Sequence, residues 1–192
     1  MLNARKHILL VGNTGSGKSS TLNALAERKM SKVGIGVDSQ TQKIVGYLIR
    51  PFIFWDTPGL GEGTESDKLH IKNINKMICT HENSLHRVGL VVESNKKDLG
   101  TVFKIIEEIV KPNNLADKLV VVLNQADVAM KGQGWNDEQK LPEPELIEFL
   151  KLQQSSIKRR IYESTNIDVS DITSYSAVYS YNLDNVFGLF KK

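Results

Sequence analysis

The residues Gly12-Asn13-Thr14-Gly15-Ser16-Gly17-Lys18-Ser19 constrain this chain more than any others, because they complete G-x-x-x-x-G-K-[ST] directly after the apolar run Ile8-Leu9-Leu10-Val11. The run reads as a strand and Ser20 to Arg28 as a helix, so the motif sits on a strand-to-helix turn. Three glycines let the backbone curl until its N–H groups converge. Such a concavity, facing the N-terminus of the following helix, attracts phosphate oxygens. Lys18 adds a point charge there, and Ser19 a hydroxyl suited to Mg²⁺. Gly12 to Ser20 are therefore the candidate phosphate-binding residues.

The chain has 192 residues, of which 40% are hydrophobic and 24% charged, which fits one well-cored domain over 1–192. A formal net charge of +3 is too small to argue for nucleic acid or an anionic surface. Lys158-Arg159-Arg160, the densest basic run, reads as a solvated helix face. Cys79 is the only cysteine, so neither an intramolecular disulfide nor a cysteine-cluster zinc site can form, and a reducing compartment is the simplest setting. His70, His81 and His86 lie near Cys79 at spacings that match no standard metal pattern. The first residues lead straight into a strand, and nowhere do about 18 apolar residues run together. The expectation is a cytoplasmic chain without a signal or transmembrane segment.

Beyond the first helix, a glycine-rich polar stretch from Ser31 to Gln42 precedes Lys43 to Ile49 and Phe52 to Trp55, two strands joined at Arg50-Pro51 as a hairpin. Glu65 to Thr80 is helical, Val88 to Val92 is a strand, and Thr101 to Val110 is a helix that Pro112 stops. Lys118 to Leu123 is a continuous apolar strand, the pattern of a central position covered on both faces. Ala129 to Pro144 reads as a long surface loop in which Trp135 is a local anchor. An amphipathic helix from Glu145 to Glu163, a last strand from Asp171 to Tyr175 and a final helix from Asn182 to Phe190 complete the order. The fold class is α/β: a mostly parallel six-stranded sheet, one antiparallel edge strand from the hairpin, and helices on both faces.

Four further signals follow the glycine-rich loop in sequence. Asp56-Thr57-Pro58-Gly59 begins at a strand end, where the Asp56 carboxylate can hold Mg²⁺ and the Gly59 N–H can position a γ-phosphate. Thr41, between the first helix and the second strand, supplies a hydroxyl as a second protein ligand to the metal and an N–H to the γ-phosphate; Ser39 is its local competitor. Lys18, Thr41 and Gly59 would thus act directly on the reacting phosphate. An Asn and an Asp three residues apart read guanine, the Asp accepting from N1–H and the N2 amine and the Asn touching the O6/N7 edge. Asn95-Lys96-Lys97-Asp98 matches the usual N-K-x-D letters, whereas Asn124-Gln125-Ala126-Asp127 lacks the lysine. Asn95 follows the fourth strand and Asn124 the fifth, and topology favours Asn124 and Asp127, with Gln125 between them in the same loop. Ser176-Ala177, after the last strand, are small enough for a backbone N–H to approach the guanine O6.

Together, Gly12 to Ser19, Thr41, Asp56 to Gly59, Asn124 to Asp127 and Ser176-Ala177 resemble the five ordered motifs of the translation-factor-like GTPases. The likeness is strongest to Era-like, HSR1-type 50S ribosome-binding GTPase domains, including prophage-encoded ones. It implies a Ras-like P-loop NTPase fold, GTP and GDP binding with Mg²⁺, slow γ-phosphate hydrolysis, a conformational switch, and an effector or activating protein. A ribosome or RNA link rests on the family resemblance alone, since these residues contain no KH-type appendage. The phosphate loop is also similar to those of immunity-associated and dynamin-related GTPases, which implies a nucleotide-dependent dimer or a self-assembling, membrane-associated role as an alternative. Two departures stand out. Leu60 occupies the position where Ras-type enzymes carry the water-orienting glutamine, leaving hydrolysis to the backbone, a partner, or a group such as Glu62 or Glu65; a nucleotide-binding module with negligible hydrolysis is the second alternative. Gln125 replaces the lysine whose stem packs over guanine, which should weaken affinity while keeping the Asp127 hydrogen bonds that discriminate the base.

Overall fold

The structure, a computed structural model, describes residues 5–28, 33–35 and 43–192. The run after the N-terminus forms strand β1 (His7–Gly12), whose side chains alternate between two cores: Ile8 and Leu10 on one face, Leu9 and Val11 on the other. This accounts for its unbroken apolar character, since both faces are covered. Helix α1 (Lys18–Arg28) follows the glycine-rich turn. Strands β2 (Val33–Ile35), β3 (Val45–Ile49) and β4 (Phe52–Asp56) come next, then helix α2 (Thr64–Thr80), with Glu65 and Asp67 complementing the helix dipole in its first turn. Strand β5 (Leu85–Glu93) leads to α3 (Gly100–Ile105), which runs on through a π-helical turn at Ile106–Val110 before Pro112.

Strand β6 (Leu119–Asn124), a two-residue ribbon of β7 (Trp135–Asn136) and β8 (Leu141–Pro142), helix α4 (Pro144–Thr165), strand β9 (Ile172–Ser174) and helix α5 (Leu183–Lys191) complete the fold. Helix α4 opens with a proline in its first turn and closes on Asn166 in the left-handed region, the usual asymmetry of helix ends. The main sheet has seven strands in the order β2-β3-β4-β1-β5-β6-β9. All neighbours from β4 to β9 pair in parallel, and β3 alone runs against them. The α/β class and mostly parallel sheet are as expected. The short β2 adds a strand beyond the hairpin, so the antiparallel β3 lies one place in from the edge. Three residues with a central glycine carry no readable periodicity, which is why the sequence does not announce it.

Helices α1 and α5 pack on the face bearing Ile8, Leu10, Phe54, Val120 and Val122, where Leu25 and Phe190 are fully buried. Helices α2, α3 and α4 cover the other face through Ile74, Ile105 and Ile161. The loop from 129 to 144 is anchored by Trp135, whose ring lies 5.1 Å from that of Tyr179 and 5.7 Å from that of Tyr181. In α4, Lys158 and Arg159 pair with Asp168 and Glu163, and Arg160 donates to the Lys97 carbonyl, as suits a solvated face. Strand β1 leads to strands on its β4 side, whereas β4 leads across to β5 on the other, so the connections leave the carboxyl ends of these two neighbours in opposite directions. A crevice at such a reversal is where open α/β sheets bind ligands.

Candidate functional site

The glycine-rich turn leaves β1 with Gly12 against the Val91 carbonyl, so closely that a Cβ there would collide with it. Gly15 (φ 78°) and Gly17 (φ 91°) occupy left-handed backbone, which side chains resist and glycine allows. Lys18 is buried and folds back on the loop, its Nζ donating to the carbonyls of Gly12 at 3.1 Å and Asn13 at 2.9 Å. Burial lowers its pKa to about 8, against the opposing pull of Asp56 and Glu62. A cation held under this much desolvation is poised to gain from an anion placed over it.

Strand β4 ends at Asp56, in register with Leu10 of β1, and this brings its carboxylate to Ser19: the serine hydroxyl donates to Oδ2 at 2.6 Å. Burial pushes the Asp56 carboxyl up, and the Ser19 hydrogen bond and Lys18 charge pull it back. Its second oxygen, Oδ1, is buried and has no hydrogen-bond partner among the described residues. A hydroxyl beside a carboxylate with an unused oxygen is an all-oxygen donor pair of the kind Mg²⁺ takes. Thr41 and its competitor Ser39 lie outside the described residues.

A cleft of about 720 Å³ opens over these groups, lined by Thr14, Gly15, Gly17, Lys18, Ser19 and Ser20 on one side and by Thr57 to Gly59 with Glu62 on the other. Gly59 lies against Thr14 so closely that a Cβ would overlap it. Two backbone bonds fasten this segment to the phosphate loop: Leu60 N–H to the Gly12 carbonyl at 3.2 Å, and Thr14 N–H to the Leu60 carbonyl at 3.0 Å. The Leu60 side chain points into the core and is 1% exposed. Of the two glutamates offered for the missing glutamine, Glu62 lines the cleft, whereas Glu65 is exposed and paired with Lys68 at 3.1 Å. Sequence reasoning left Ser66 and His70 out of the site. They also line the cleft, bonded to each other at 3.0 Å, and their i,i+4 spacing on α2 was the available signal.

Asn124, at the end of β6, is buried and bridges two loops: its Nδ2 donates to the Ser16 carbonyl at 3.1 Å and its Oδ1 accepts from the Ala177 N–H at 3.1 Å. Its amide is closely fitted, for a Cβ on Gly17 would strike Nδ2. Gln125 takes left-handed backbone (φ 63°) and donates from Nε2 to the Gly15 carbonyl at 3.2 Å, a second side-chain bond from this loop to the phosphate loop. Asp127 keeps a buried Oδ1 without a partner among the described residues. The rival motif emerges from β5: Asn95 is exposed, Lys96 pairs with Glu93, and Asp98 accepts the Gly100 N–H at 2.8 Å to start α3. No bond joins it to the phosphate loop among the described residues.

Groups expected at the base already have partners within the chain. The Asn124 side chain, expected on the base edge, makes one bond inside the chain from each polar end, which leaves a second N–H and a second lone pair. The N–H groups of Ser176 and Ala177 are likewise committed, the first to the Tyr181 carbonyl at 3.2 Å and the second to Asn124, because a Ser176–Tyr181 bridge closes the turn. Beneath them the Tyr175 and Thr21 hydroxyls meet at 2.5 Å, fastening this loop to α1. His81 stacks on Trp55 and edges onto His7, His86 stacks on Phe52, and Cys79 is exposed, so these residues contact different neighbours.

With this geometry in hand, the chain can be set beside known proteins. Residues 7–125 match the family described as 50S ribosome-binding GTPase. A curated relative, immune-associated nucleotide-binding protein 9 of Arabidopsis thaliana, is 28% identical over 135 residues, taking in 65% of this chain and 38% of that protein. The chain thus spans about two fifths of that relative's length. Among solved structures, the LeoA bacterial dynamin GTPase from ETEC superposes with a TM-score of 0.68 at 13% identity, covering 98% of this chain and 36% of LeoA. A probable GTP-binding protein engB gives 0.58 at 16% identity, covering 96% of this chain and 98% of the other. At these identities the structural likenesses speak for the fold.

Proposed function

The chain belongs to the 50S ribosome-binding GTPase family, and from that membership we propose that it is a Mg²⁺-dependent switch that binds GTP, hydrolyses it slowly to GDP and phosphate, and changes conformation around Asp56 to Gly59. The observation that carries this reading is the convergence of Lys18, Ser19 and Asp56 beneath one cleft, with the Ser19 hydroxyl on one Asp56 oxygen and the other oxygen without a partner among the described residues. The N–H groups of Gly15 to Ser19 and the Lys18 ammonium would hold the β- and γ-phosphates, and Gly59 would meet the γ-phosphate. Ser19, Asp56 and Thr41 would hold Mg²⁺, which when bound neutralises phosphate charge. Asp127, its buried oxygen unsatisfied, would accept from the guanine N1–H and N2 amine, with Asn124 and Gln125 fixing the distance between its loop and the phosphate loop.

The backbone bonds of Leu60 to Gly12 and Thr14 support the switching element of the proposal. They fasten the Asp56-to-Gly59 segment to the phosphate loop, so a γ-phosphate in the cleft must act on both together. A second reading, a nucleotide-binding module with negligible hydrolysis, is favoured by the burial of Leu60. No helix among the described residues is long and apolar enough to cross a membrane, and a cytoplasmic setting suits a single free thiol.

Phosphate release from a single turnover of GTP, with Mg²⁺ and with chelator, tests the proposal. Release faster than from free GTP, abolished by chelator, is the expected result. Release no faster than from buffer would replace it with the second reading, and release indifferent to chelator would remove the metal from it.

A further inference from the structure

Hydrolysis of a γ-phosphate needs an acceptor that orients the attacking water, and position 60 cannot supply one: its side chain is leucine, 1% exposed, and its backbone is bonded on both sides to the phosphate loop. Turning it into the cleft would break two hydrogen bonds and expose the side chain. The chain instead swivels at Gly61 (φ 97°), and the next side chain, Glu62, lines the cleft with Lys18, Ser19 and Gly59. Its negative charge acts, after that of Asp56, to raise the pKa of the buried Lys18 ammonium. Glu65 points away to Lys68, and His70, bonded to Ser66 through Nε2, keeps a buried Nδ1 without a partner among the described residues but sits two turns into α2, farther along the chain from Gly59 than Glu62.

The backbone that carries Glu62 is held from behind. Asp67, buried on the first turn of α2, accepts the Gly61 N–H at 2.9 Å and the Lys104 ammonium of α3 at 2.8 Å. Burial pushes the Asp67 carboxyl up; the Lys104 bond and the Gly61 and Glu62 N–H groups more than offset this and hold it below the usual carboxylate range. Nothing in the phosphate chemistry calls for a buried Asp67 paired with a half-buried Lys104 here. Its evident consequence is a fixed position for the Gly61–Glu62 peptide, three residues beyond the loop that meets the γ-phosphate.

We propose that Glu62 is the catalytic residue that orients the attacking water, in place of the glutamine that Leu60 cannot mimic, and that Asp67 with Lys104 is the positioning pair that aims it. The inference rests on the GTP-hydrolysis reading above. In the step, the Glu62 carboxylate accepts a hydrogen bond from water, and the water oxygen forms a bond to the γ-phosphorus. The bond from that phosphorus to the β,γ-bridging oxygen breaks, its electron pair leaving with GDP. The water's proton passes to a γ-phosphate oxygen, and Glu62 ends as it began.

The test measures single-turnover phosphate release and GTP affinity in parallel on the full chain and its variants. Glu62→Ala should slow release about 10–100-fold, the worth of a positioned group at the reacting water, with GTP affinity within about twofold. Glu62→Gln, which keeps an acceptor oxygen, should recover most of the rate. Lys104→Met should slow release about 3–10-fold and Lys104→Arg restore it, since only the aim of Glu62 changes. Glu65→Ala, the same change of charge outside the cleft, should leave the rate unaltered. An unchanged rate in Glu62→Ala, an equal loss in Glu65→Ala, or a loss of GTP affinity matching the loss of rate would each overturn the assignment while leaving the GTPase reading intact. Absence of turnover by the unaltered chain would overturn both.

Discussion

Replacing Asn124 by alanine should do more damage than any other single truncation around the base-side loops, and its size can be worked from two bonds. The side chain is 3% exposed, and it partners the Ser16 carbonyl and the Ala177 N–H across 3.1 Å each. A buried polar group stripped of its partner costs about 1–3 kcal/mol. The carbonyl, with two lone pairs and a neighbouring water-accessible cleft, belongs at the lower end, so the pair sums to about 2–4 kcal/mol. For a chain of this length that lowers the melting temperature by about 5–15 °C. Because the same amide sets the spacing between the phosphate loop and the loop after β9, GDP affinity should fall about tenfold or more, some 1.4 kcal/mol of binding. Thermal unfolding followed by calorimetric titration with GDP measures both, with Asn95→Ala as the comparison. Asn95 is exposed, and its loss should cost less than about 0.5 kcal/mol with no change in affinity. An Asn95→Ala variant that destabilises or weakens binding as much as Asn124→Ala would refute the reasoning.

Other outcomes follow from the same geometry. Leu60→Gln should not raise the hydrolysis rate, because that side chain faces the core; it should instead destabilise the fold by about 2–4 kcal/mol through lost apolar burial and a stranded amide, and a faster enzyme of normal stability would contradict this. Gln125→Lys keeps a donor for the Gly15 carbonyl and adds charge to that bond, so GTP affinity should rise about 2–10-fold; an unchanged or weaker value in the titration would count against the bond. The His7 imidazole, whose Nδ1 accepts from the Trp55 indole at 3.3 Å, titrates below its ordinary 6.5 through burial first and the nearby His81 second. A histidine depressed in the folded state takes up its proton more readily when unfolded, so stability is lost as pH falls below about 6.5, and His7→Phe should flatten that slope in melts recorded between about pH 7.5 and 5.5.

Much of the architecture could be read from short-range pattern. Ile8 to Val11 and Leu119 to Leu123 advertise strands covered on both faces, and Pro112 marks where its helix stops. Counting strands sufficed to favour Asn124 over Asn95 against the literal motif, and Asn124 bonds to the phosphate loop while Asn95 is exposed. Partnerships across the sheet were beyond the pattern. Nothing local shows that Asn124 bonds to Ser16 and Ala177 from its two polar ends, because those partners are 108 and 53 residues away. The Asp67–Lys104 pair, 37 residues apart, is invisible for the same reason. Leu60 reads in the sequence as a missing glutamine. In three dimensions it is a backbone fastener whose side chain belongs to the core, and Glu62, two residues on, is the acidic side chain that lines the cleft.

The central claim is that this cleft takes a guanine nucleotide and that the loop after β6 reads the base. Titrating labelled GTP, ATP and XTP against the unaltered chain and Asp127→Asn tests it most directly. A site built to pair the guanine N1–H and N2 amine should prefer GTP to ATP by about two orders of magnitude or more, and Asp127→Asn should move that preference to XTP. Equal affinity for GTP and ATP in the unaltered chain, or an Asp127→Asn variant that binds GTP as before, would contradict it.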